Sequence, residues 1–331
     1  MAVAAIVAFA FYSRPRPKAA AGFSGPDYSR SESDLSHPLR IVAYGDTRFT
    51  DPRETGATNP KVRRWEVDRI AEERPDALLV SGDLPWHGGN AGDYDVYRAE
   101  TRVWRDARLY IYPALGNHEF HGLEQQCLEN WWTAFPELRG HRWYSVALGK
   151  AVYVLNLDSN SSLLPGSEQL GWVKSQLAGL PLTVRFVFVN LHHPPVVDVQ
   201  EGGDESHNGR PNERALAEFL AKAPEKSHFR FVVVAGHIHN YERFYKDGIV
   251  YLVSGGGGAK PHPVRRGSDD LYKDPEFPNY HYIRFVVEAG TLQGTMVRVA
   301  DPDAATPTWQ EKDHFEVSTV EPDPVATPAV H

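Results

Sequence analysis

Val232-Val-Val-Ala-Gly-His-Ile-His-Asn-Tyr-Glu-Arg243 (VVVAGHIHNYER) is the stretch on which the fold turns. Apolar β-formers run into a glycine, and His237 and His239 follow it two residues apart. A short buried strand feeding Gly-His-x-His sets both imidazoles at the strand's carboxyl end. Neutral imidazole is a common ligand for Zn, Fe, Mn or Ni. An H-x-H pair alone is modest evidence, so the other strand ends decide the matter.

Working outward, several apolar β-rich runs end in the same manner. Leu39–Tyr44 ends in Gly45-Asp46, and Ala77–Val80 runs on to Gly82-Asp83. Leu109–Leu115 ends in Gly116-Asn117-His118-Glu119, and Val184–Leu191 in His192-His193-Pro194. Helical stretches are expected between them at Pro60–Arg74, Tyr94–Trp104, Leu123–Ala134, Ser167–Leu180 and Pro211–Ala223. Trp143–Ala147 with Ala151–Asn156, and Tyr282–Glu288 with Thr291–Val299, read as strand pairs. Strands alternating with helices predict an α/β fold in which buried strands are continuous apolar runs. Open α/β sheets bind ligands outside the carboxyl ends of their strands. Five such ends carrying carboxylate, amide or imidazole groups therefore predict one metal site.

The composition fits a globular protein with ample core: 331 residues, 41% hydrophobic and 24% charged. The net charge of −8 gives no support to nucleic-acid binding, which depends on phosphate neutralisation. Cys127 is the only cysteine, so no intramolecular disulfide can form. Residues 1–21 read as an apolar signal- or anchor-like segment. The charge-free run Met1–Tyr12 falls short of the roughly 20 residues of a bilayer span, and its basic residues follow rather than precede it. Export or membrane attachment is thus as well supported as a cytoplasmic location. Residues 22–38 read as a Gly/Ser/Asp-rich linker, 39–300 as the folded domain, and 301–331, with five prolines, as an unpacked acidic tail.

The ordered set from Asp46 to His239 resembles the calcineurin-like metallophosphoesterase superfamily, whose pattern is D…GD…GNH[DE]…H…GHxH. Gly236–Arg243 and His192-x-Pro194 look most like its purple acid phosphatase branch. The resemblance implies a β-sandwich flanked by helices, with two divalent ions (Mn, Zn or Fe) at the strand carboxyl ends. By position, Asp46, Asp83 and His239 would hold the first ion. Asp83, Asn117, His192 and His237 would hold the second, with Asp83 bridging. The activity implied is hydrolysis of a small-molecule phosphate ester by metal-bound hydroxide, a phosphomonoester in the leading reading. A phosphodiesterase or nucleotidase of the same fold, or a metal-binding module without turnover, are the alternatives. His118 would stabilise the transition state or protonate the leaving group, with Glu119 orienting its ring.

Two positions depart from the pattern. Purple acid phosphatases place a tyrosine three residues after the bridging Asp, and here that residue is Trp86, which cannot ligate a metal. Either His87 or water would fill the gap, and no tyrosinate colour is expected. The first motif reads Asp46-Thr47-Arg48, where many members have histidine. Arg48 could instead face the phosphate with its planar fork. His193 is expected behind the ligands or in the cleft wall, His207 could reach substrate from the polar loop, and Trp131-Trp132 should pack in the core.

Overall fold

In the computed structural model, residues 25–200, 209–223 and 228–319 are described. Two sheets form the frame. The six-stranded sheet runs, in spatial order, Trp309–Ser318, Thr291–Val299, His281–Glu288, Leu39–Tyr44, Ala77–Val80, Ile111–Pro113. The seven-stranded sheet runs Tyr28–Arg30, Tyr144–Leu148, Val152–Asn156, Phe186–Asn190, Arg230–Ala235, Ile249–Ser254, Tyr241–Lys246. Each contains a parallel block: Leu39–Tyr44 with Ala77–Val80 and Ile111–Pro113 in one, and Val152–Asn156 through Ile249–Ser254 in the other.

The packing follows from strand alternation. Val152, Val154, Phe186, Phe188, Val232 and Val234 face inward and join Ile41, Leu78, Ile283 and Phe285 in the core between the sheets. The residues between them, Tyr153, Leu155, Val187, Val189, Val233 and Tyr251, face outward. They are covered by Leu170, Val173, Leu177, Leu216 and Leu220 of the helices Glu168–Ala178 and Pro211–Lys222. Both faces of the parallel block are therefore buried, which is why its strands read as unbroken apolar runs. Trp131 is buried in the core, with Trp132 packed against it.

Some local expectations need correction. Tyr28–Arg30 lies in the stretch expected to be linker, yet it pairs in parallel with Tyr144–Leu148, and Tyr28 is buried. A three-residue strand is too short to show periodicity. Trp309–Ser318 lies in the expected tail, yet it pairs along its length with Thr291–Val299. The packed unit thus extends beyond 39–300 on both sides. Tyr94–Trp104 is two helices, Ala91–Glu100 and Arg102–Asp106, separated at Thr101. Thr101 Oγ1 donates back to the Tyr97 carbonyl and is buried at the break. Residues 1–21, including the apolar Met1–Tyr12 run, and His207 lie outside the described residues. No helix among the described residues is long and apolar enough to cross a membrane.

Candidate metal centre

The parallel blocks of the two sheets end at the same edge of the sandwich, and all five strand-end groups open there. Asn190 bridges the sheets just beneath them. Its Oδ1 accepts from Ser81 Oγ (3.0 Å), and its Nδ2 donates to the Val80 carbonyl (3.2 Å) and to Asn156 Oδ1 (2.8 Å). The backbone turns sharply on leaving the strands. Asp46, Arg48, Asp83 and His237 have φ of 60°, 47°, 53° and 71°. Such left-handed conformations cost roughly 1–3 kcal/mol each for non-glycine residues and persist where the surroundings enforce them. Here backbone bonds do so: Asp46 N donates to the Gly82 carbonyl (3.0 Å), and Arg48 N to the Asp83 carbonyl (2.9 Å).

Asp46, Asp83, Asn117, His192, His237 and His239 converge. His192 Nδ1 donates to the Ser81 carbonyl (2.8 Å), so in the neutral ring Nε2 carries a lone pair. That lone pair meets other acceptors: Asn117 Oδ1 at 2.9 Å, and Asp83 Oδ1 at 3.3 Å. His237 Nδ1 lies 3.2 Å from both His192 Nε2 and Asn117 Oδ1. His239 repeats the arrangement. Its Nδ1 donates to the Lys260 carbonyl (2.6 Å), and its Nε2 lies 3.3 Å from Asp46 Oδ1. Asp46 Oδ1 is buried and accepts no hydrogen bond. Lone pairs held this close repel unless a cation lies among them. Ligand atoms of Asp46, Asp83 and His239 all lie within 4.8 Å of one another, as do those of His192, His193 and His237. Carboxylate, amide and imidazole donors in this mixture suit Zn, Mn or Fe, so the residues fit a pair of divalent ions.

Electrostatics agree. Burial pushes the Asp46 carboxyl up to about 7; the neighbouring Asp83 charge adds to this while His192 and Arg48 oppose it. Burial also raises Asp83, but His192, His118 and Arg48 together outweigh it and hold that carboxyl below the usual range. Two buried carboxylates side by side are costly without nearby positive charge.

His118 and Arg48 flank the cluster. Arg48 Nη2 lies 3.4 Å from Asp83 Oδ2, with its guanidinium 4.9 Å from the Trp86 ring centroid. His118 Nδ1 donates to the Trp86 carbonyl (2.6 Å), leaving Nε2 turned to Asp83 Oδ2 at 3.7 Å. Burial lowers His118 to about 3. The expected role of Glu119 needs correction, because its carboxylate does not hold the His118 ring. It accepts from three backbone N–H groups: Gly116 (2.7 Å), Asp83 (3.0 Å) and Leu84 (2.8 Å). It thereby ties the second strand end to the third. The ring is set instead by the Trp86 carbonyl, whose position in the chain gives no signal of that role.

The structure does not bring His87 into the cluster. Its ring is half exposed, with Nδ1 4.0 Å from Asp93 Oδ2. His193 is buried, with Nδ1 2.7 Å from Ser159 Oγ and its ring 4.4 Å from His237. Tyr241 and Arg243 both bond to Asp313 beside the site. Two rings were not singled out by sequence reasoning: His121, 4.0 Å from His118, and His262, stacked 4.0 Å from His239. The spacing Asn117-His-Glu-Phe-His121 is the one signal that could have pointed to the former. The Gly255–Gly258 turn packs over the first strand end. Gly257 N donates to the Gly45 carbonyl (2.9 Å) and Ala259 N to the Asp46 carbonyl (2.9 Å). A Cβ on Gly256 would lie 2.2 Å from His281 Nδ1, so only glycine fits there.

A family model described as calcineurin-like phosphoesterase matches residues 39–248, a span that contains all six converging donors. The chain belongs to the calcineurin-like phosphoesterase family. Within it, the chain is 30% identical over 272 residues to the "Probable purple acid phosphatase 20" of Arabidopsis thaliana, covering 76% of this chain and 58% of the relative. It is 24% identical over 215 residues to a "Probable cyclic nucleotide phosphodiesterase" of Synechococcus, covering 61% of this chain and 75% of that one. The fold is shared with a purple acid phosphatase from yellow lupin (Lupinus luteus) seeds, with a TM-score of 0.66 at 20% identity, over 88% of this chain and 57% of that one. This phosphoesterase-family chain thus spans about three-fifths of the length of the plant relative it matches.

Proposed function

We propose that the protein is a metal-dependent phosphoesterase acting on small phosphomonoesters. The observation that carries this reading is the ring of unprotonated donors turned on one another: His192 Nε2 on Asn117 Oδ1 at 2.9 Å, and His239 Nε2 by Asp46 Oδ1 at 3.3 Å. Asp46, Asp83 and His239 would hold one ion, and Asp83, Asn117, His192 and His237 the other. Two divalent ions, when bound, supply positive charge to the phosphoryl oxygens and acidify a water for in-line attack. The chain's own residues do the rest. The planar donors of Arg48 suit the phosphate oxygens. His118, with its Nδ1 proton fixed on the Trp86 carbonyl, offers Nε2 to a proton in transit at the ester oxygen. Glu119 keeps Asp83 and His118 in register through the backbone. His87 stands away from the donors, which supports a water in the remaining position of the first ion.

The likeness to plant purple acid phosphatases supports monoesters. The likeness to a cyanobacterial phosphodiesterase keeps diesters as the second reading. The test is turnover of p-nitrophenyl phosphate against bis-p-nitrophenyl phosphate after loading with Mn or Zn, with metal content measured in parallel. Monoester turnover above diester turnover is expected. The reverse order would favour the second reading, and no turnover with two ions bound would reject both.

A further inference from the structure

Beside the four donors named for the second ion stands one more imidazole. One ring nitrogen from each of His192, His193 and His237 lies within 4.8 Å of the others. The ring centres are 4.8 Å apart for His192 and His193, 4.4 Å for His193 and His237, and 5.0 Å for His192 and His237. No pair is stacked, and the planes cross at 80°, 52° and 77° in the same order. A nitrogen about 2.0–2.1 Å from zinc sets its ring centre roughly 3.2 Å from the ion, so rings sharing one ion at angles of about 90–100° stand roughly 4.5–5 Å apart. The three rings keep that spacing.

The surroundings of His193 hold its ring in place. The residue is 3% exposed, and Pro194 follows it, which disfavours the helical conformation at His193. Ser159 Oγ lies 3.1 Å from the His193 backbone N and 2.7 Å from Nδ1, so its two lone pairs match two N–H groups of one residue. Ser159 is pinned in turn. Its carbonyl accepts from Arg210 Nη2 (2.6 Å) and Asn212 Nδ2 (3.4 Å), at the start of the helix Pro211–Lys222. Arg210 is paired with the buried Glu213 at 2.6 Å. With Nδ1 on Ser159, Nε2 is the nitrogen left for the other two rings. A metal-bound imidazole has this pattern, since a hydrogen bond at its other nitrogen fixes tautomer and orientation.

We propose that His193 is a further ligand of the second ion, through Nε2, alongside Asp83, Asn117, His192 and His237. That position then holds three imidazoles, a set that favours Zn, Fe or Ni over Mg or Ca. The first position, with Asp46, Asp83 and His239, stays richer in carboxylate. The assignment rests on the metal centre of the phosphoesterase reading and is independent of its substrate.

Cadmium-113 tests this without turnover. In the full chain, labelled with nitrogen-15 histidine and saturated with cadmium-113, each ligating ring nitrogen shows a one-bond coupling to the metal. Couplings are expected from His192, His193, His237 and His239. His193→Asn should remove one of them and leave the rest. The wild-type spectrum, with or without a coupled His193 nitrogen, keeps the test independent of how that variant folds. Calorimetry should also find the preference for zinc over magnesium reduced at least about tenfold in His193→Asn. Wild-type couplings that all survive His193→Asn, or an unchanged zinc preference, overturn the ligand. A coupled His193 in a protein that turns over no phosphate ester would reject the phosphoesterase reading and leave the ligand standing. Turnover with the His193 nitrogen uncoupled overturns the ligand alone, and a chain that binds neither cadmium nor zinc overturns both.

Discussion

At the scale of single residues, Glu119 and His118 are neighbours with opposite duties. Glu119 is buried, and burial together with the Asp83 charge pushes its carboxyl up to about 8, against the three backbone N–H groups that it accepts. Glu119→Ala leaves those donors buried without a partner, at about 1–3 kcal/mol each. The variant should lose at least about 3 kcal/mol in urea unfolding and bind metal weakly. Unchanged stability would show that the clamp is dispensable. The His118 side chain is not among the six converging donors, and its backbone N–H, which donates to Asp83 Oδ1 (2.9 Å), survives substitution of the ring. His118→Asn should keep its metal content while its rate falls by roughly 10²–10⁴; loss of metal would put His118 among the ligands. Asp83→Asn should empty both positions, because Asp83 lies within 4.8 Å of the Asp46 and His239 ligand atoms on one side and 3.3 Å from His192 Nε2 on the other. Elemental analysis showing both ions retained would refute a bridging carboxylate.

At the scale of elements, the strand ends are precise because loops from distant parts of the chain brace them. The helix Pro60–Glu73 is capped by Asn59, whose Oδ1 accepts from Val62 N (3.2 Å). The same residue donates its backbone N–H to the Gly258 carbonyl (2.7 Å). The cap thus joins the helix to the glycine turn lying on Asp46. Asn59→Ala should cost about 1 kcal/mol of stability, with metal affinity falling along with it as the turn loosens. Thermal unfolding with and without added metal checks this. An equal loss in both conditions would confine Asn59 to a capping role.

At the scale of the molecule, the sandwich is closed by more than its core. Tyr241 Oη and Arg243 Nε, on the edge strand of the seven-stranded sheet, both donate to Asp313 on the edge strand of the other, at 2.8 and 2.6 Å. Both side chains of the ion pair are nearly buried. Asp313→Ala should therefore cost roughly 2 kcal/mol or more, since it strands a desolvated arginine. A stability within 0.5 kcal/mol of wild type in chemical denaturation, the ordinary range for surface changes, would reject the tie. Glu66 acts in the other direction. It is buried on the helix Pro60–Glu73, neither oxygen accepts a hydrogen bond, and burial holds its carboxyl well above the ordinary range. The folded state keeps this proton to higher pH than the unfolded chain. Its contribution to stability is therefore full below about pH 4.3 and is lost as pH rises toward the folded value. Wild type should lose stability relative to Glu66→Leu on going from pH 5 to pH 8. Parallel curves for the two proteins would show that Glu66 carries no such penalty.

What the chain itself determined was the list of parts. Buried parallel strands must be apolar throughout, and the turns that leave them must be small, so Gly45-Asp46, Gly82-Asp83, Gly116-Asn117 and Gly236-His237 were legible as strand ends bearing donors. The helix Glu168–Ala178 and the pairing of His281–Glu288 with Thr291–Val299 were legible from local pattern too. What lay beyond one-dimensional reading depended on partners far away in the chain. Tyr28–Arg30 and Trp309–Ser318 are strands only because a sheet edge is there to pair with them. The Glu119 carboxylate, the Trp86 carbonyl and the distance of His87 from the donors follow from how two sheets meet. Local spacing encodes which atoms can bind, but only tertiary packing decides which lone pairs are turned toward one another.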